Sequence, residues 1–247
     1  MREYGLDFIS DTDLFNHVRE TVEKYRFNAN LSSFNKNLVD PIKLSFDAKV
    51  YGKTIQTIVE NEIIRQADKL NTNHIGYFHQ NIFNFISDRW HVPQSGYDIV
   101  NTEEHYYVEM KNKHNTMNSS SAQKTYIRMQ NTILADADAT CLLVEVIARN
   151  SQNSTWNISL DGHAIANRNI RRVSIDKFYQ LVTGDEFSFK KLCEALPKVI
   201  DDVVDEIERD VADNTVLAEL ERISPNILKS LYLLAFEQYA GFGDFDV

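Results

Sequence analysis

Cysteine is scarce in this chain, and only Cys141 and Cys193 occur among its 247 residues. The two lie far apart in the sequence, outside any CxxC pattern or Cys/His cluster. This spacing argues against a disulfide framework and against a structural zinc site. We expect both residues to be buried thiols.

Glycine and histidine are also sparse, and neither forms a motif. The chain has 8 glycines and lacks the GxxxxGKS/T pattern that cradles phosphates, which argues against an ATP-driven motor or a kinase. None of the 7 histidines shows the HxxxH or HExxH spacing of zinc hydrolases. The chemistry of the chain must therefore rest on other residues.

Long hydrophobic runs are missing. No apolar segment approaches the roughly 20 residues that span a bilayer, and residues 1–15 lack the basic and then apolar pattern of a signal peptide. We therefore expect a cytoplasmic protein without membrane association. Its 43% hydrophobic and 25% charged residues are typical of a globular protein.

A strong positive charge is absent too, since the net charge is −10. A protein that coats nucleic acid non-specifically needs a broad basic surface, so this class is disfavoured. The charge is uneven, however. Residues 201–221 carry much of the acidic surplus, whereas residues 111–128 are basic and contain no Asp or Glu. A local basic cleft is therefore compatible with the composition.

Hydrophobic spacing predicts helices first and short strands in the middle of the chain. The predicted helices cover residues 11–25, 53–70, 77–90 and 119–135, the last with a serine cluster as its cap. The predicted strands cover residues 97–101, 106–113, 139–148 and 156–160. After Ser174 we expect mostly helix, with breaks near Gly184 and Pro197 and a last helix that has Pro225 in its first position.

The predicted hairpin carries three charged residues. Asp98 lies on its first strand and Glu109-x-Lys111 on its second, with a turn near residues 101–104. Because side chains alternate along a strand, Glu109 and Lys111 share one face, while Val108 and Met110 project to the other. Asp98 is expected opposite this pair.

These residue types suit phosphodiester hydrolysis. Carboxylate oxygens hold Mg²⁺ and leave coordination positions for water and substrate, a role that Asp98 and Glu109 fit. A lysine beside the metal can orient the attacking water, help it lose a proton or stabilise the negative transition state, and Lys111 fits that role. The alternative is an exposed charge pair, because a D-x(n)-E-x-K match is loose. The glycine-containing turn, hairpin, basic helix and apolar strand around it favour the catalytic interpretation.

In this context the residues resemble the PD-(D/E)xK nuclease superfamily, and more narrowly type II restriction endonucleases of the family that includes GGNCC-cleaving enzymes. The likeness covers most of the chain and rests on residues 37–44, 107–114 and 174–179, the last two stretches being the more specific. Pro93 lies well before Asp98, so the "PD" element is matched only by its Asp.

The resemblance implies an α/β fold with a restriction-endonuclease-like core, in which helices flank a central mixed sheet. We expect a single endonuclease domain over residues 1–247, with a helical N-terminal part near 1–90, a catalytic core near 91–180 and a helical C-terminal part near 181–247. It also implies Mg²⁺-dependent cleavage of double-stranded DNA at a short palindrome by a homodimer. A cognate DNA methyltransferase is expected in the same system, but not as a stable subunit.

In that superfamily, a glutamate from the helix before the hairpin often adds a carboxylate to the metal site. Glu60 is the candidate and Glu62 the competitor, because residues two apart on a helix point in different directions. Both could equally be solvated helix charges. Glu145, inside an apolar run, could approach a second metal or face solvent at a strand end.

Two polar segments could contact DNA, where phosphate contacts position the protein and paired donors read bases. The segment after residue 160 is predicted to be a loop. In it Arg168, Arg171 and Arg172 are candidate base contacts, with an ordinary surface loop as the alternative. The segment after the catalytic strand supplies candidate phosphate or base contacts at Lys113, His114, Asn115, Asn118, Ser119, Ser120, Gln123, Lys124 and Arg128.

Two other functions stay open at this point. The first is a PD-(D/E)xK nuclease of repair or of mobile elements, which would cleave according to DNA structure instead of sequence. The second is a non-catalytic DNA-binding protein in which Asp98 and Glu109 are structural. Cleavage of phage DNA into discrete fragments would separate restriction from both.

Overall fold

The computed structural model describes residues 2–25, 29–114, 116–160, 162–207 and 214–236. The chain divides into two compact units. The first, the sheet unit, consists of Met1–Val22 and His74–Ile207, and the second, the helical unit, of Glu23–Asn73 and Glu208–Val247. Asn115, a predicted DNA contact, lies outside the described residues.

The elements alternate between helices and strands only in the middle of the chain. In chain order the described helices are α1 (Asp11–Lys24), α2 (Leu31–Asn35), α3 (Pro41–Tyr51), α4 (Ile55–Asn81), α5 (Phe83–Ile86), α6 (Ser119–Ala135), α7 (Ile175–Thr183), α8 (Ser188–Glu206), α9 (Val216–Ile223) and α10 (Ile227–Phe236). The described strands are β1 (Ile99–Asn101), β2 (Tyr106–Lys113), β3 (Thr140–Ile147), β4 (Asn153–Leu160) and β5 (His163–Ser174).

The sheet unit holds one mixed sheet in the order β1-β2-β3-β5-β4. The β1–β2 and β4–β5 pairs are antiparallel, whereas β2–β3 and β3–β5 are parallel. Parallel neighbours need a long crossover connection, and α6 supplies it between β2 and β3. The predicted α/β class with a mixed sheet is confirmed.

Helices cover both faces of this sheet. On one face Val108 and Met110 of β2 join a large core that contains Phe178 of α7. On the other, here called the α6 face, Leu143 of β3 packs in a cluster with Tyr126 of α6. Because β2 is covered on both sides, its side chains are held in fixed positions.

Helix α6 spans the residues that the sequence predicts, but its cap is different. The Asn118 side chain accepts a hydrogen bond from the Ser121 backbone N–H at 2.8 Å, so Asn118 is the N-cap instead of a serine. An N-cap oxygen satisfies one of the backbone donors that the first turn leaves unpaired. The cap fixes where α6 begins, directly after the strand that carries Glu109 and Lys111.

The helical unit has its own hydrophobic core, in which Phe34 of α2, Leu44 of α3, Val59 of α4 and Leu220 of α9 are buried. Helix α3 begins at an Asp40 N-cap, whose Oδ1 accepts hydrogen bonds from two backbone N–H groups. The hydrophobic pattern did not predict α2, which has only 5 residues, or α3, whose apolar residues are not confined to one face of the helix.

The main error of the sequence prediction is β5, which was expected to be a loop. Within β5, residues 170–174 pair with β3, whereas residues 163–166 pair with β4 alone. This first half is mostly exposed and has Ile165 as its one large apolar side chain, so it lacks the apolar alternation by which a strand is identified. Arg168, Arg171 and Arg172 therefore lie on a strand.

Some smaller features also differ from the sequence prediction. Pro197 lies inside α8 without ending it, as the buried residues Leu192, Val199 and Val203 hold the helix on both sides of the proline. Residues 77–86 form the end of α4 and the short α5 instead of one helix to residue 90, and Pro225 precedes α10 instead of starting it. Cys141 is buried as predicted, but Cys193 is exposed.

No helix among the described residues is long and apolar enough to cross a membrane.

Candidate active site

Asp98 is fixed against the middle of β2. Its backbone N–H donates to the Val108 carbonyl at 2.9 Å, which extends the hairpin pairing by one residue beyond β1. Its side-chain Oδ2 accepts a hydrogen bond from the Met110 backbone N–H at 2.7 Å. The carboxylate is thus held by the residue between Glu109 and Lys111.

Glu109 and Lys111 meet on the α6 face, as the alternation of side chains along β2 predicts. Lys111 Nζ donates to Glu109 Oε1 at 2.6 Å. The Glu109 side chain is only 12% exposed and that of Lys111 is 30% exposed. An exposed cross-strand pair, the alternative drawn from the sequence, therefore does not describe them.

Arg128 of α6 completes this cluster. Its Nη2 donates to Glu109 Oε2, and its Nη1 donates to the Gly96 carbonyl at 3.2 Å. Its guanidinium carbon lies 4.5 Å from the centre of the Tyr97 ring, a cation–π contact. Arg128 thereby connects the helix, the turn before Asp98 and the strand that carries Glu109. Sequence spacing could not show this, because it depends on how α6 packs over β2.

The turn before Asp98 depends on Gly96. Its φ of 100° lies in a region that side chains rarely adopt, so glycine is required there for backbone reasons. A Cβ at this position would meet no atom within 4 Å, and space is therefore not the constraint. The turn directs the Gly96 carbonyl toward Arg128.

The charges of the cluster act on one another. Burial raises the pKa of Asp98, and the negative charge of Glu109 raises it further, against the opposing effects of the Met110 N–H, Lys111 and Arg128. The net pKa is above its ordinary value. Two carboxylates that repel each other in a partly buried place favour any cation that binds between them.

The donor set fits a hard divalent cation with few protein ligands. Among the described residues, no group of three or more His, Cys, Asp or Glu side chains is arranged for a metal. Two carboxylates alone would leave most positions to water and phosphate oxygens, which is the usual coordination of Mg²⁺ in phosphoryl-transfer enzymes. Both Glu109 oxygens accept hydrogen bonds from Lys111 and Arg128, so binding a cation would replace at least one of them.

Neither candidate glutamate of α4 belongs to the unit that carries the hairpin. Glu60 and Glu62 lie in the helical unit. Glu60 is exposed, whereas Glu62 is only 8% exposed and accepts hydrogen bonds from Arg65 and Gln66. Burial raises the pKa of Glu62, but these hydrogen bonds outweigh it, and the net pKa is lowered. Glu62 is thus engaged within its own helix.

Glu145 does not face solvent, contrary to one of the two expectations. It is 2% exposed and pairs with Arg172 and His114 on the α6 face. No local pattern in the sequence indicates this contact, since it depends on the order of β2, β3 and β5 in the sheet.

The remaining predicted DNA contacts fall into two groups. Three make hydrogen bonds inside the protein: Asn118 caps α6, Gln123 donates to the Ser159 carbonyl at 3.0 Å, and Arg171 donates to the side chain and carbonyl of Asn153. The others are exposed on the surface, namely Lys113, Ser119, Ser120, Lys124 and Arg168.

The mixed sheet with helices on both faces, and the carboxylates and lysine on its hairpin, define an α/β protein with a restriction-endonuclease-like fold. The model of the family described as Eco47II restriction endonuclease matches residues 6–205, which include the whole sheet. The chain belongs to the Eco47II restriction endonuclease family, whose enzymatic class is that of site-specific deoxyribonucleases.

Two curated proteins resemble the chain over most of its length. Type II restriction enzyme Sau96I of Staphylococcus aureus is 29% identical over 255 residues, which cover 92% of this chain and 97% of that protein. Type II restriction enzyme Eco47II of Escherichia coli is 30% identical over 214 residues, which cover 81% of this chain and 89% of that protein. The resemblance to type II restriction endonucleases stated from the sequence is confirmed.

Proposed function

We propose that this enzyme is a Mg²⁺-dependent type II restriction endonuclease that hydrolyses both strands of DNA at a short palindromic site. The observation that carries the proposal is the cluster of Asp98, Glu109 and Lys111 on one hairpin, in a chain of the Eco47II restriction endonuclease family. GGNCC is the target that the family resemblance suggests.

Asp98 and Glu109 would hold the Mg²⁺ ion. When bound, the ion supplies a Lewis acid that stabilises negative charge on the phosphate and makes a bound water more acidic. The Met110 N–H orients the Asp98 carboxylate through Oδ2. Glu109 approaches from the adjacent strand, fixed by its place in the middle of a sheet covered on both faces.

Lys111 acts on the water and the phosphate. Its ammonium group has three donors, of which Glu109 Oε1 accepts one. The other donors can orient the attacking water and stabilise charge on the phosphate oxygens as the transition state forms. The short contact with Glu109 keeps Nζ beside the carboxylates.

Arg128 is a positioning residue in this account. It holds Glu109 from the side of α6 and ties the Gly96 turn to the same helix. Since Asp98 follows this turn directly, one guanidinium contributes to the placement of both carboxylates.

The remaining assignments follow from the family and from the exposed residues. A homodimer would place one active site on each strand of a palindrome, and a cognate DNA methyltransferase would protect host DNA in the cytoplasm.

Glu60 stays our candidate for a further carboxylate. Exposed Lys113, Ser119, Ser120, Lys124 and Arg168 are proposed DNA contacts.

Digestion of a phage DNA of known sequence with the purified protein, with Mg²⁺ or with EDTA, tests the function. We expect discrete fragments that end at one short palindrome, and only with Mg²⁺. A smear, or a preference for branched DNA, would favour a nuclease of repair or mobile elements. Binding without cleavage would favour a non-catalytic protein.

Lys111→Ala and Lys190→Ala form a matched pair for this digestion. Lys190 pairs with Glu194 on α8, and its side chain is 70% exposed, so its removal should leave the fragments unchanged. Lys111→Ala should leave the phage DNA intact.

A further inference from the structure

A second charged cluster lies beside the hairpin site on the α6 face. Glu145 of β3 is buried, and its Oε1 accepts a hydrogen bond from Arg172 Nη2 of β5. Its Oε2 lies 3.0 Å from Nδ1 of His114, the residue directly after β2. Arg172 Nη2 also lies 2.8 Å from that Nδ1. One carboxylate thus holds a guanidinium and an imidazole side by side.

The register of the sheet places this cluster next to the catalytic candidates. Leu143 is the partner of Glu109 on β2 and of Arg172 on β5, so the three residues form one row across the sheet. In the next row Lys111 is the partner of Glu145. Since adjacent strands lie roughly 4.8 Å apart, the backbones at Glu109 and Arg172 are separated by roughly 10 Å.

Arg172 has capacity for a further ligand. Glu145 accepts a hydrogen bond only from its Nη2, and its Nε is buried without a hydrogen-bond partner among the described residues. A buried donor left unpaired costs free energy and calls for an explanation. The side chain is 22% exposed, so a ligand that reaches the surface can approach the guanidinium.

The carboxylate serves as the anchor of the cluster. Burial raises the pKa of Glu145, but the hydrogen bonds from Arg172 and His114 outweigh this effect, so that its pKa is lowered. Both of its oxygens face these two partners. A second metal on Glu145, the other expectation from the sequence, would have to displace one of these partners.

We propose that Arg172 and His114, held in place by Glu145, bind a DNA backbone phosphate that is a near neighbour of the scissile phosphate. This inference rests on the proposed function. Neighbouring phosphates of one strand rise roughly 3.4 Å along the helix axis, so a strand that reaches Glu109 and Lys111 brings another phosphate within the separation of the two clusters.

A phosphate suits this site better than a base edge does. The Arg172 side chain is tied to a buried carboxylate on the face of the sheet, so it cannot extend into a DNA groove. Phosphates lie on the outside of the duplex, and a guanidinium offers paired donors to their oxygens. Base readout by Arg172, the interpretation drawn from the sequence, is therefore replaced by backbone contact.

The test is DNA binding in EDTA, where cleavage does not interfere, measured over a range of salt concentrations. A phosphate contact contributes about 0.9 to the slope of log K against log salt concentration on duplex DNA. Arg172→Gln should lower this slope by about one unit and weaken binding by the same factor for cognate and unrelated duplexes. Arg172→Lys should restore part of the slope, because it keeps the charge.

Two further variants keep the test valid if Arg172→Gln does not fold, since that change leaves Glu145 buried without its counterion. The double variant Glu145→Gln and Arg172→Gln removes both charges and should show the same reduced slope. His114→Gln leaves the ion pair intact and should weaken binding to both duplexes. Arg89→Gln removes an exposed charge that pairs with Glu104, and it serves as the matched control.

An unchanged salt slope in the Arg172 variants, with wild-type affinity, would overturn the inference and leave a structural ion pair. A loss confined to the cognate duplex would also overturn it and would favour base contact. Neither result touches the proposed function, which fails only if the wild-type protein does not cleave DNA specifically.

Discussion

The Lys111 ammonium lies 2.6 Å from the Glu109 carboxylate, and the two residues are neighbours on one face of a single strand. Arg128 approaches the other oxygen of the same carboxylate from α6. Glu109 is thus held from two sides, with Asp98 fixed next to it by the Met110 N–H.

Replacing Lys111 should separate binding from catalysis. Lys111→Ala removes the donors for water and phosphate, and the loss of such a group costs about 10²- to 10³-fold in rate. Single-turnover cleavage rates measure this loss, while DNA binding in EDTA should change little. An equal loss in Lys190→Ala would mean that the effect is not local to the site.

Asp98 should make the fold less stable as pH rises. Its pKa in the folded state is above its ordinary value of 3.8. The Asp98 carboxyl group therefore binds a proton more tightly in the folded chain than in the unfolded chain. Stability is therefore lost as pH rises from that ordinary value through the raised pKa. In EDTA, Asp98→Asn should raise Tm relative to wild type at pH 7 and lose this advantage near pH 3. A Tm difference that is larger in acid would contradict the raised pKa.

Arg128 should matter for both structure and rate. Arg128→Ala removes hydrogen bonds to Glu109 and Gly96 and the contact with Tyr97, and we expect a loss of about 1–3 kcal/mol in the free energy of unfolding. Urea denaturation measures this loss, and cleavage should fall at temperatures where the variant is folded.

Arg128→Lys should restore little, since lysine cannot reproduce the planar fork. Full cleavage by this variant would show that charge alone is sufficient at position 128.

Asn118 allows a cap to be distinguished from a DNA contact. Asn118→Ala should destabilise the protein by about 1 kcal/mol through loss of the N-cap, and Asn118→Ser should restore most of that stability. Thermal unfolding measures the cap and DNA binding measures the contact. If Asn118→Ser is stable but binds DNA weakly, the amide contacts DNA in addition to capping α6.

The sequence predicts β2 and α6 well, because both have strong local signals. The alternation from Tyr107 to Lys111 and the polar segment before α6 fix these elements without reference to the rest of the chain. The family resemblance then adds the nuclease chemistry. The hairpin, the shared face of Glu109 and Lys111, and the bounds of α6 could therefore be stated in advance.

The contacts of Arg128, Glu145 and Arg172 could not be predicted in the same way. Each depends on which elements are neighbours in space, and that is set by the strand order and by the packing of α6 on the sheet. The first half of β5 adds to the difficulty, since it pairs only with β4 and is mostly exposed. The local spacing of apolar residues indicates neither the strand order nor the packing of α6 on the sheet.

The central claim is that Asp98 and Glu109 form the metal-dependent cleavage site, and single-turnover cleavage of a plasmid by Glu109→Gln tests it most directly. Glutamine keeps the size of the side chain and can still accept a hydrogen bond, but it lacks the charge that holds Mg²⁺. Wild type should linearise a plasmid with one target site in Mg²⁺, whereas Glu109→Gln should bind the same DNA and leave it uncut. Cleavage by Glu109→Gln at the wild-type rate would show that the Glu109 carboxylate is not needed to hold the metal.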